Sequence, residues 1–185
     1  MRRITCAAIP ATQLRGTMAH PVLSQFRILV VDNQRAMRGI LRSLLGQIGI
    51  RDIVEADGPE EAINQLVEGT RFGKPIDLVI TELHLQGMSG RELIEHLRQG
   101  RTADLDPTIP VLVLTGERDP VQLDEVRAAG ASEILEKPIA APELVRVIAQ
   151  RAGIAISPKE IAALMVNTPQ HSVSIRSGAS GQTRR

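Results

Sequence analysis

The chain has 185 residues, with 22 Lys and Arg against 21 Asp and Glu, two Phe, no Trp or Tyr, and one Cys. Its hydrophobic content of 43% can fill a core and excludes a wholly disordered chain. The shortage of aromatic residues excludes nucleic-acid modules that stack bases on aromatic platforms. One cysteine, Cys6, cannot form an internal disulfide or a zinc site, so we expect a reducing, cytoplasmic location.

The near-neutral charge is unevenly distributed along the chain. Three of the 22 basic residues lie in residues 1–24 and three more in 167–185, and neither segment holds an acid. The remaining residues, 25–166, therefore carry sixteen bases against 21 acids. An acidic folded part disfavours a nucleic-acid backbone as its partner. No apolar run approaches the ~20 residues that cross a bilayer, so we expect no membrane contact.

From residue 27 onward, short apolar runs alternate with amphipathic segments. The runs, each suited to a buried strand, are residues 28–31, 53–54, 78–80, 111–114 and 134–135. Between the first two runs, apolar residues at helical spacing predict one buried stripe, formed by Met37, Ile40, Leu41, Leu44, Leu45 and Ile48. Arg35, Arg38 and Arg42 are predicted on the other side of this helix.

Capping residues mark where the later helices begin. Residues 57–61 supply a cap from Asp57, a proline for the first turn and acids near the positive end of the helix dipole. Ser89, with Glu92 three residues on, has the spacing of a capping box. The fourth helix is predicted to open at Asp119 and the fifth near Pro142. Five strands alternating with five helices predict a parallel sheet covered on both faces.

These patterns predict a single α/β domain with appended segments. The domain is expected over residues 25–152, after a flexible N-terminal extension over 1–24. A short accessory helix is expected within 153–166, and a disordered basic tail over 167–185. Because no second domain fits in the remaining residues, we expect a stand-alone module that acts through a protein partner.

Polar residues follow four of the five predicted strands. They are Asp32 with Asn33, Glu82, Thr115 and Lys137. The carboxyl ends of parallel strands meet at one edge of the sheet, so we expect these side chains to gather there. Two carboxylates and an amide are ligands for a hard divalent cation. A hydroxyl and an ammonium are suited to phosphoryl oxygens.

The segments around these residues resemble the receiver domain of response regulators in two-component signalling, and are similar to the stand-alone chemotaxis regulator. The matching segments, in the order and spacing of that family, are residues 28–33, 77–82, 87–90, 109–115 and 130–138. The resemblance implies a flavodoxin-like, doubly wound five-stranded parallel sheet of order 2-1-3-4-5. It also implies that a sensor histidine kinase donates a phosphoryl group to an Asp at the end of strand three, with Mg²⁺ bound.

Carried over position by position, the metal and phosphoacceptor positions match only in part. Asp32 matches the first of the acidic pair that holds Mg²⁺, but Asn33 stands where the second acid usually is. Glu82 stands where the phosphoacceptor Asp belongs. The resemblance assigns the backbone carbonyl of His84 to the metal, with the His84 side chain expected to be exposed.

The switch positions are also implied by the resemblance. Thr115 matches the switch hydroxyl and Lys137 matches the phosphoryl-binding lysine. Pro138 matches the proline whose preceding peptide bond is cis. Ile134 occupies the position of the switch aromatic, which argues against coupling between an aromatic ring and the Thr115 hydroxyl.

The departures from the family pattern predict weakened chemistry. Asn33 keeps an oxygen ligand but removes one negative charge, so we expect Mg²⁺ to bind only weakly. Glu82 is longer than Asp by about 1.5 Å, and a misplacement of ~1 Å can cost ~10²-fold in rate. A direct pair between Glu82 and Lys137 is expected to hold part of the switch without phosphorylation. The favoured interpretation is therefore a receiver that signals by binding and has impaired or absent phosphoacceptance.

Two other functions remain open at this stage. One is a slow, Mg²⁺-dependent phosphoacceptor that uses Glu82 or Asp32. The other is a small α/β enzyme using the same pocket, which is disfavoured because neither a glycine-rich phosphate loop nor a Ser elbow is present. The expected partners are a sensor histidine kinase or another signalling protein, and a downstream target that contacts helix four, strand five and helix five. The short helix at 158–166 is expected to cover or extend that face.

Overall fold

Alternating strands and helices form one layered domain. The computed structural model describes residues 23–100 and 102–166. The strands are β1 (Arg27–Val31), β2 (Asp52–Ala56), β3 (Leu78–Glu82), β4 (Val111–Thr115) and β5 (Glu133–Glu136). The helices are α1 (Arg35–Gln47), α2 (Pro59–Arg71), α3 (Gly90–Arg98), α4 (Pro120–Ala128), α5 (Ala141–Arg151) and α6 (Pro158–Val166), and one 3-10 turn, Leu23–Gln25, precedes β1.

The five strands form one parallel sheet. Their order is β2-β1-β3-β4-β5, which confirms the predicted doubly wound topology. Of the three interior strands, β3 and β4 are buried along their whole length. β2 and β5 lie at the edges and extend beyond the predicted apolar pairs, because backbone pairing with β1 and β4 continues through polar residues such as Glu55 and Glu136.

Helices cover both faces of the sheet, as expected. On one face, the sheet packs against α1 and α5 through Leu41, Leu45, Leu144 and Ile148. On the other, it packs against α2, α3 and α4 through Leu66, Leu93, Ile94 and Val126. Sheet residues alternate between the two clusters, since successive side chains of a strand point to opposite faces.

The short C-terminal helix α6 belongs to the layer formed by α1 and α5. It contacts α5, and its Ile161 is buried in the same cluster as those helices. Ile154 and Ile156, in the connection before α6, are partly buried against the cluster. Since α4 belongs to the opposite layer, the observed packing of α6 extends the α5 side of the domain.

The ends of two helices differ in how they are capped. Ser89 and Glu92 form the predicted capping box at the start of α3, with the Glu92 N–H donating to Ser89 Oγ at 3.2 Å. The prediction that Asp57 caps α2 was wrong, because the N-cap residue is Gly58 and it makes no side-chain cap. Asp57 lies one residue earlier, where its N–H donates to Glu61 Oε2 at 2.9 Å.

Two predictions about the faces of α1 were also wrong. Ile40 was expected in the buried stripe but is 52% exposed, because the buried face is narrow and centred on Leu41 and Leu45. Arg38 was expected on the solvent side, yet its side chain is only 14% exposed. Its partners belong to the sheet and are described with the site.

Some predicted segments lie outside the described residues. The expected extension over 1–24 falls outside them except for its last two residues, and the expected tail over 167–185 falls outside entirely. In the part of the chain that the structure describes, no helix is both long and apolar enough to cross a membrane.

Candidate functional site

Glu82 ends the buried strand β3 with a carboxylate that is already hydrogen-bonded on both oxygens. The residue is 8% exposed. Its Oε1 accepts hydrogen bonds from the N–H groups of Leu83 at 2.6 Å and His84 at 3.3 Å. Its Oε2 accepts a hydrogen bond from Lys137 Nζ. The strand end therefore holds the carboxylate in one orientation.

Asp32 follows β1 and presents the second carboxylate. It is 2% exposed, and its N–H donates to the Ala56 carbonyl at 3.2 Å. Its Oδ1 accepts from the Gln34 N–H at 2.8 Å, and its Oδ2 accepts from Lys137 Nζ at 3.1 Å. The N-cap residue of α1 is Gln34, so Asp32 serves the strand-end site and is not the helix cap.

Lys137 joins the two carboxylates from the end of β5. Its backbone N–H donates to the Thr115 carbonyl at 2.8 Å, which places the side chain beside β4 and β3. The Lys137–Pro138 peptide bond is cis, as the resemblance implies. Burial disfavours the charged ammonium, but the hydrogen bonds and charges of Glu82 and Asp32 outweigh burial and raise the pKa of Lys137. The lysine is therefore a fixed cation shared by two anions.

Thr115 reaches the same edge, but its hydroxyl bonds elsewhere. The residue is fully buried, and its Oγ1 accepts from the Glu117 N–H at 3.1 Å. Among the described contacts, the Thr115 side chain makes no hydrogen bond to Glu82 or Lys137. Ile134 lies on the neighbouring strand β5, partly buried against the cluster under α4. The geometry thus brings together Asp32, Glu82 and Lys137, with Thr115 adjacent but separately bonded.

The His84 side chain bridges two loops above the site. It is 60% exposed, and its Nε2 lies 3.2 Å from Glu117 Oε2. Backbone N–H groups of Asp119 and Arg118, and then the His84 side chain, lower the pKa of the Glu117 carboxyl. The His84 side chain is therefore exposed, as expected, and the metal role of its backbone carbonyl stays a prediction.

The oxygen donors at this edge are of the kind that Mg²⁺ prefers, but the local negative charge is low. The Oδ1 atom of Asn33 is buried and accepts no hydrogen bond from any residue that the structure describes, so its oxygen suits a cation. Asp32 and Glu82 share the ammonium of Lys137, which leaves a net charge of about −1 for the three groups. No cluster of three or more His, Cys, Asp or Glu within 23–100 and 102–166 is arranged to hold a metal ion. The residues therefore fit Mg²⁺ in chemical type but not in charge.

The sequence did not predict the cluster of three charged residues behind the site: Glu55 was not singled out, and Arg38 and Arg42 were placed on the solvent side of α1. Glu55 on β2 lies between two arginines of α1, at 3.2 Å from Arg38 Nε and 2.5 Å from Arg42 Nε. Burial tends to raise the pKa of Glu55, but the hydrogen bonds from Arg42 and Arg38 outweigh it and lower that pKa. The available signal was an acid directly after the two-residue strand predicted at 53–54, which is weak because an acid at that position is usually solvated.

A cleft of about 650 Å³ opens beside Asn33. It lies between the loops that follow β2 and β3, and its lining includes the carboxylates of Asp57, Glu60 and Glu61. Among the described residues, none of those that line it is basic. The cleft therefore disfavours the approach of an anionic ligand toward the edge of the site.

The sheet order and the strand-end arrangement of acid, hydroxyl and lysine define a doubly wound α/β domain whose polar site lies at the carboxyl ends of its strands. Residues 28–149 match the model of the response regulator receiver domain, so the chain belongs to the response regulator receiver family. Receiver domains are modules of two-component signalling.

Relatives and solved structures agree with this assignment. The chain is 31% identical over 118 residues to the chemotaxis protein CheY-3 of Vibrio cholerae, which covers 64% of this chain and 85% of that protein. It is also similar to a crystal structure of a response regulator receiver protein from Pseudomonas putida. That structure has a TM-score of 0.59 and 31% identity, and the match covers 68% of this chain and 96% of that one.

A longer relative shares only part of its length with this chain. The chain is 29% identical over 155 residues to the sensory/regulatory protein RpfC of Xanthomonas campestris. The match covers 84% of this chain but 19% of that protein. The similarity therefore concerns one segment of a larger signalling protein.

Proposed function

We propose that this receiver acts by binding signalling proteins and is not switched by phosphorylation, because Glu82 stands at the phosphoacceptor position. One observation carries the proposal. Both oxygens of the Glu82 carboxylate are engaged, one by the N–H groups of Leu83 and His84 and the other by Lys137. The Glu82 carboxylate therefore already accepts hydrogen bonds from the donors that would otherwise be available to a phosphoryl group.

The same contacts argue against Glu82 as an efficient nucleophile. An attacking oxygen must be aligned with the transferring phosphoryl group, and the hydrogen bonds to both Glu82 oxygens hold the carboxylate in one orientation and lower its nucleophilicity. Lys137, the cation suited to phosphoryl oxygens, is already shared with Asp32. The acidic cleft beside Asn33 adds an electrostatic cost for an anionic phosphodonor.

We also propose that Mg²⁺ binds this site weakly. Asp32, Asn33 and Glu82 would hold the ion, with the backbone carbonyl of His84. When bound, Mg²⁺ neutralises charge on phosphoryl oxygens. Its affinity is expected to be low because Asn33 carries no charge and Lys137 offsets one of the two carboxylates.

The proposed partners are proteins of a two-component system in the cytoplasm. A sensor histidine kinase or another signalling protein would bind upstream, and a target would contact the face formed by α4, β5 and α5. Exposure supports this choice of face, since Val121 on α4 is 64% exposed. The packing of α6 with the α1 and α5 layer leaves α4 accessible.

Intact-mass spectrometry after incubation with Mg²⁺ and acetyl phosphate tests the proposal. We expect no phosphorylated wild-type chain. The double variant Asn33→Asp/Glu82→Asp restores both family acids and serves as the positive control, which is expected to gain one phosphoryl group. A phosphorylated wild-type species that disappears in Glu82→Gln would instead support a slow phosphoacceptor at Glu82. Loss only in Asp32→Asn would place the acceptor at Asp32.

A further inference from the structure

Arg38 connects helix α1 to the carboxyl ends of two strands. Its Nη1 donates to the backbone carbonyl of Asp32 at 2.7 Å, and its Nε donates to Glu55 Oε2 at 3.2 Å. One guanidinium therefore links the residue that follows β1 to a residue of β2. Its burial makes these bonds stronger than they would be on an open surface.

The carbonyl that Arg38 holds belongs to the residue that carries one of the two site carboxylates. The Asp32 N–H is fixed by β2, through the Ala56 carbonyl, while the Asp32 carbonyl is fixed by Arg38. With both sides of the residue held, its carboxylate reaches Lys137 and the Gln34 N–H at once. Freeing the carbonyl would let the following peptide plane rotate and displace the Gln34 N–H, which is one of the two groups that hold the carboxylate.

We propose that Arg38 is a positioning residue for the strand-end site: oriented by Glu55, it holds the Asp32 peptide so that the carboxylate stays on Lys137. The inference rests on the proposed function in one respect, because this carboxylate–lysine arrangement is the one proposed to operate without phosphorylation.

Arg42 contacts the same glutamate but has a different role. It is 51% exposed, and its second contact goes to the Ile53 carbonyl of β2 at 3.4 Å. Neither of its contacts involves Asp32. Arg42 therefore provides a matched control, since its removal takes one cation from Glu55 without freeing the Asp32 carbonyl.

A lysine cannot replace Arg38 in this role. The guanidinium presents N–H groups in a rigid fork, and two of them reach partners in different directions. An ammonium at this position keeps the positive charge, but its single nitrogen is poorly placed to donate to both the Asp32 carbonyl and the Glu55 carboxylate. The variant Arg38→Lys therefore separates geometry from charge.

Amide hydrogen exchange by NMR on the full ¹⁵N-labelled chain tests the proposal. The Gln34 amide reports on the Asp32 carboxylate, and the buried Val30 amide in β1 reports on global opening. In Arg38→Gln, exchange at Gln34 is expected to accelerate about tenfold or more relative to Val30. In Arg42→Gln, the same ratio is expected to change by less than about fivefold. Arg38→Lys should resemble Arg38→Gln.

Equal acceleration in the Arg38 and Arg42 variants would overturn the proposal, because it would mean that both act only through Glu55. An unchanged Gln34 ratio in Arg38→Gln would overturn it as well. If Arg38→Gln fails to fold, Arg38→Lys decides the question. A wild-type ratio of Gln34 to Val30 exchange in that variant would reject the claim that the geometry of the guanidinium is required. This readout requires no partner and no phosphodonor, so a phosphorylated wild-type chain would contradict the proposed function without affecting the result at Gln34.

Discussion

Gly90, at the start of α3, lies directly against the backbone of Glu82. A Cβ built on Gly90 would be 2.3 Å from the Glu82 carbonyl oxygen, and the Gly90 N–H donates to the Leu83 carbonyl at 2.8 Å. Helix α3 can therefore approach the end of β3 only because residue 90 has no side chain. The close approach holds Glu82 and Leu83 in place, and the carboxylate of the first and the N–H of the second form one side of the site.

Replacing this glycine tests the importance of that approach. Gly90→Ala is expected to lower the free energy of unfolding by about 1–3 kcal/mol, because the backbone has to move to admit the methyl group. Urea denaturation followed by circular dichroism measures the change. Gly39→Ala is the control, since nothing lies within 4 Å of a Cβ at that helical position. It should raise the stability by up to about 1 kcal/mol, and equal losses in both variants would contradict the steric argument.

Removal of Lys137 is expected to be costly. Lys137→Ala leaves the buried carboxylates of Asp32 and Glu82 without their shared cation, and breaking such a pair costs about 3–5 kcal/mol. Urea denaturation should show this loss, and Lys159→Ala, at an exposed position on α6, should change stability little. The double variant Lys137→Ala/Glu82→Gln should recover part of the loss, because it removes one of the unpaired charges. No recovery would contradict the claim that the unpaired Glu82 charge contributes to the loss.

Asn33→Asp is expected to strengthen Mg²⁺ binding. The substitution adds a charge at a position whose oxygen is buried and unpartnered, so affinity should increase by about tenfold or more. Isothermal titration calorimetry with MgCl₂ measures the affinity. Asn64→Asp adds the same charge to the same cleft but away from the strand ends, and should have a smaller effect. A similar gain in both variants would indicate general attraction by the cleft.

Acid should weaken the contacts of Glu55. Because its pKa in the folded chain lies below the ordinary value of 4.5, its contribution to stability is present above that pH and is lost as pH falls through the lowered pKa. Stability should therefore fall more steeply below about pH 4.5 in wild type than in Glu55→Gln. Chemical denaturation over a pH series measures the difference. Glu68→Gln, at an exposed position on α2, should retain the wild-type slope, and a matching slope in Glu55→Gln would contradict the prediction.

Helix α6 is expected to contribute to stability through Ile161. The residue is buried against α5, so Ile161→Ala should cost about 2–4 kcal/mol. Ile40→Ala is the matched control, because the same atoms are removed from a half-exposed site on α1. Thermal or urea unfolding compares the two variants. Similar small losses at both positions would mean that α6 is only loosely docked.

Much of the fold could be predicted because its signals are local. Buried parallel strands appear as continuous apolar runs, and helices between them appear as stripes with caps, so the alternation followed from segments such as 28–31 and 111–114. The order of the strands in the sheet came from the resemblance to the receiver family, and the structure confirms it. The predicted capping box of Ser89 and Glu92 is observed for the same reason, since both partners lie within one turn. The wrong cap at Asp57 reflects a one-residue shift that local composition does not resolve.

By itself, the sequence determined which residues end the strands, and therefore that Asp32, Glu82, Thr115 and Lys137 share one edge of the sheet. Only the tertiary structure decided how they pair. Asp32 and Lys137 are 105 residues apart in the chain, and their contact depends on the relative placement of β1 and β5. The same holds for Arg38. Its side chain points toward the sheet because it donates there to the carbonyl of Asp32 and to the carboxylate of Glu55. Spacing in the sequence predicts which residues are neighbours within one helix or strand. Contacts between different elements depend on how those elements pack in the folded chain.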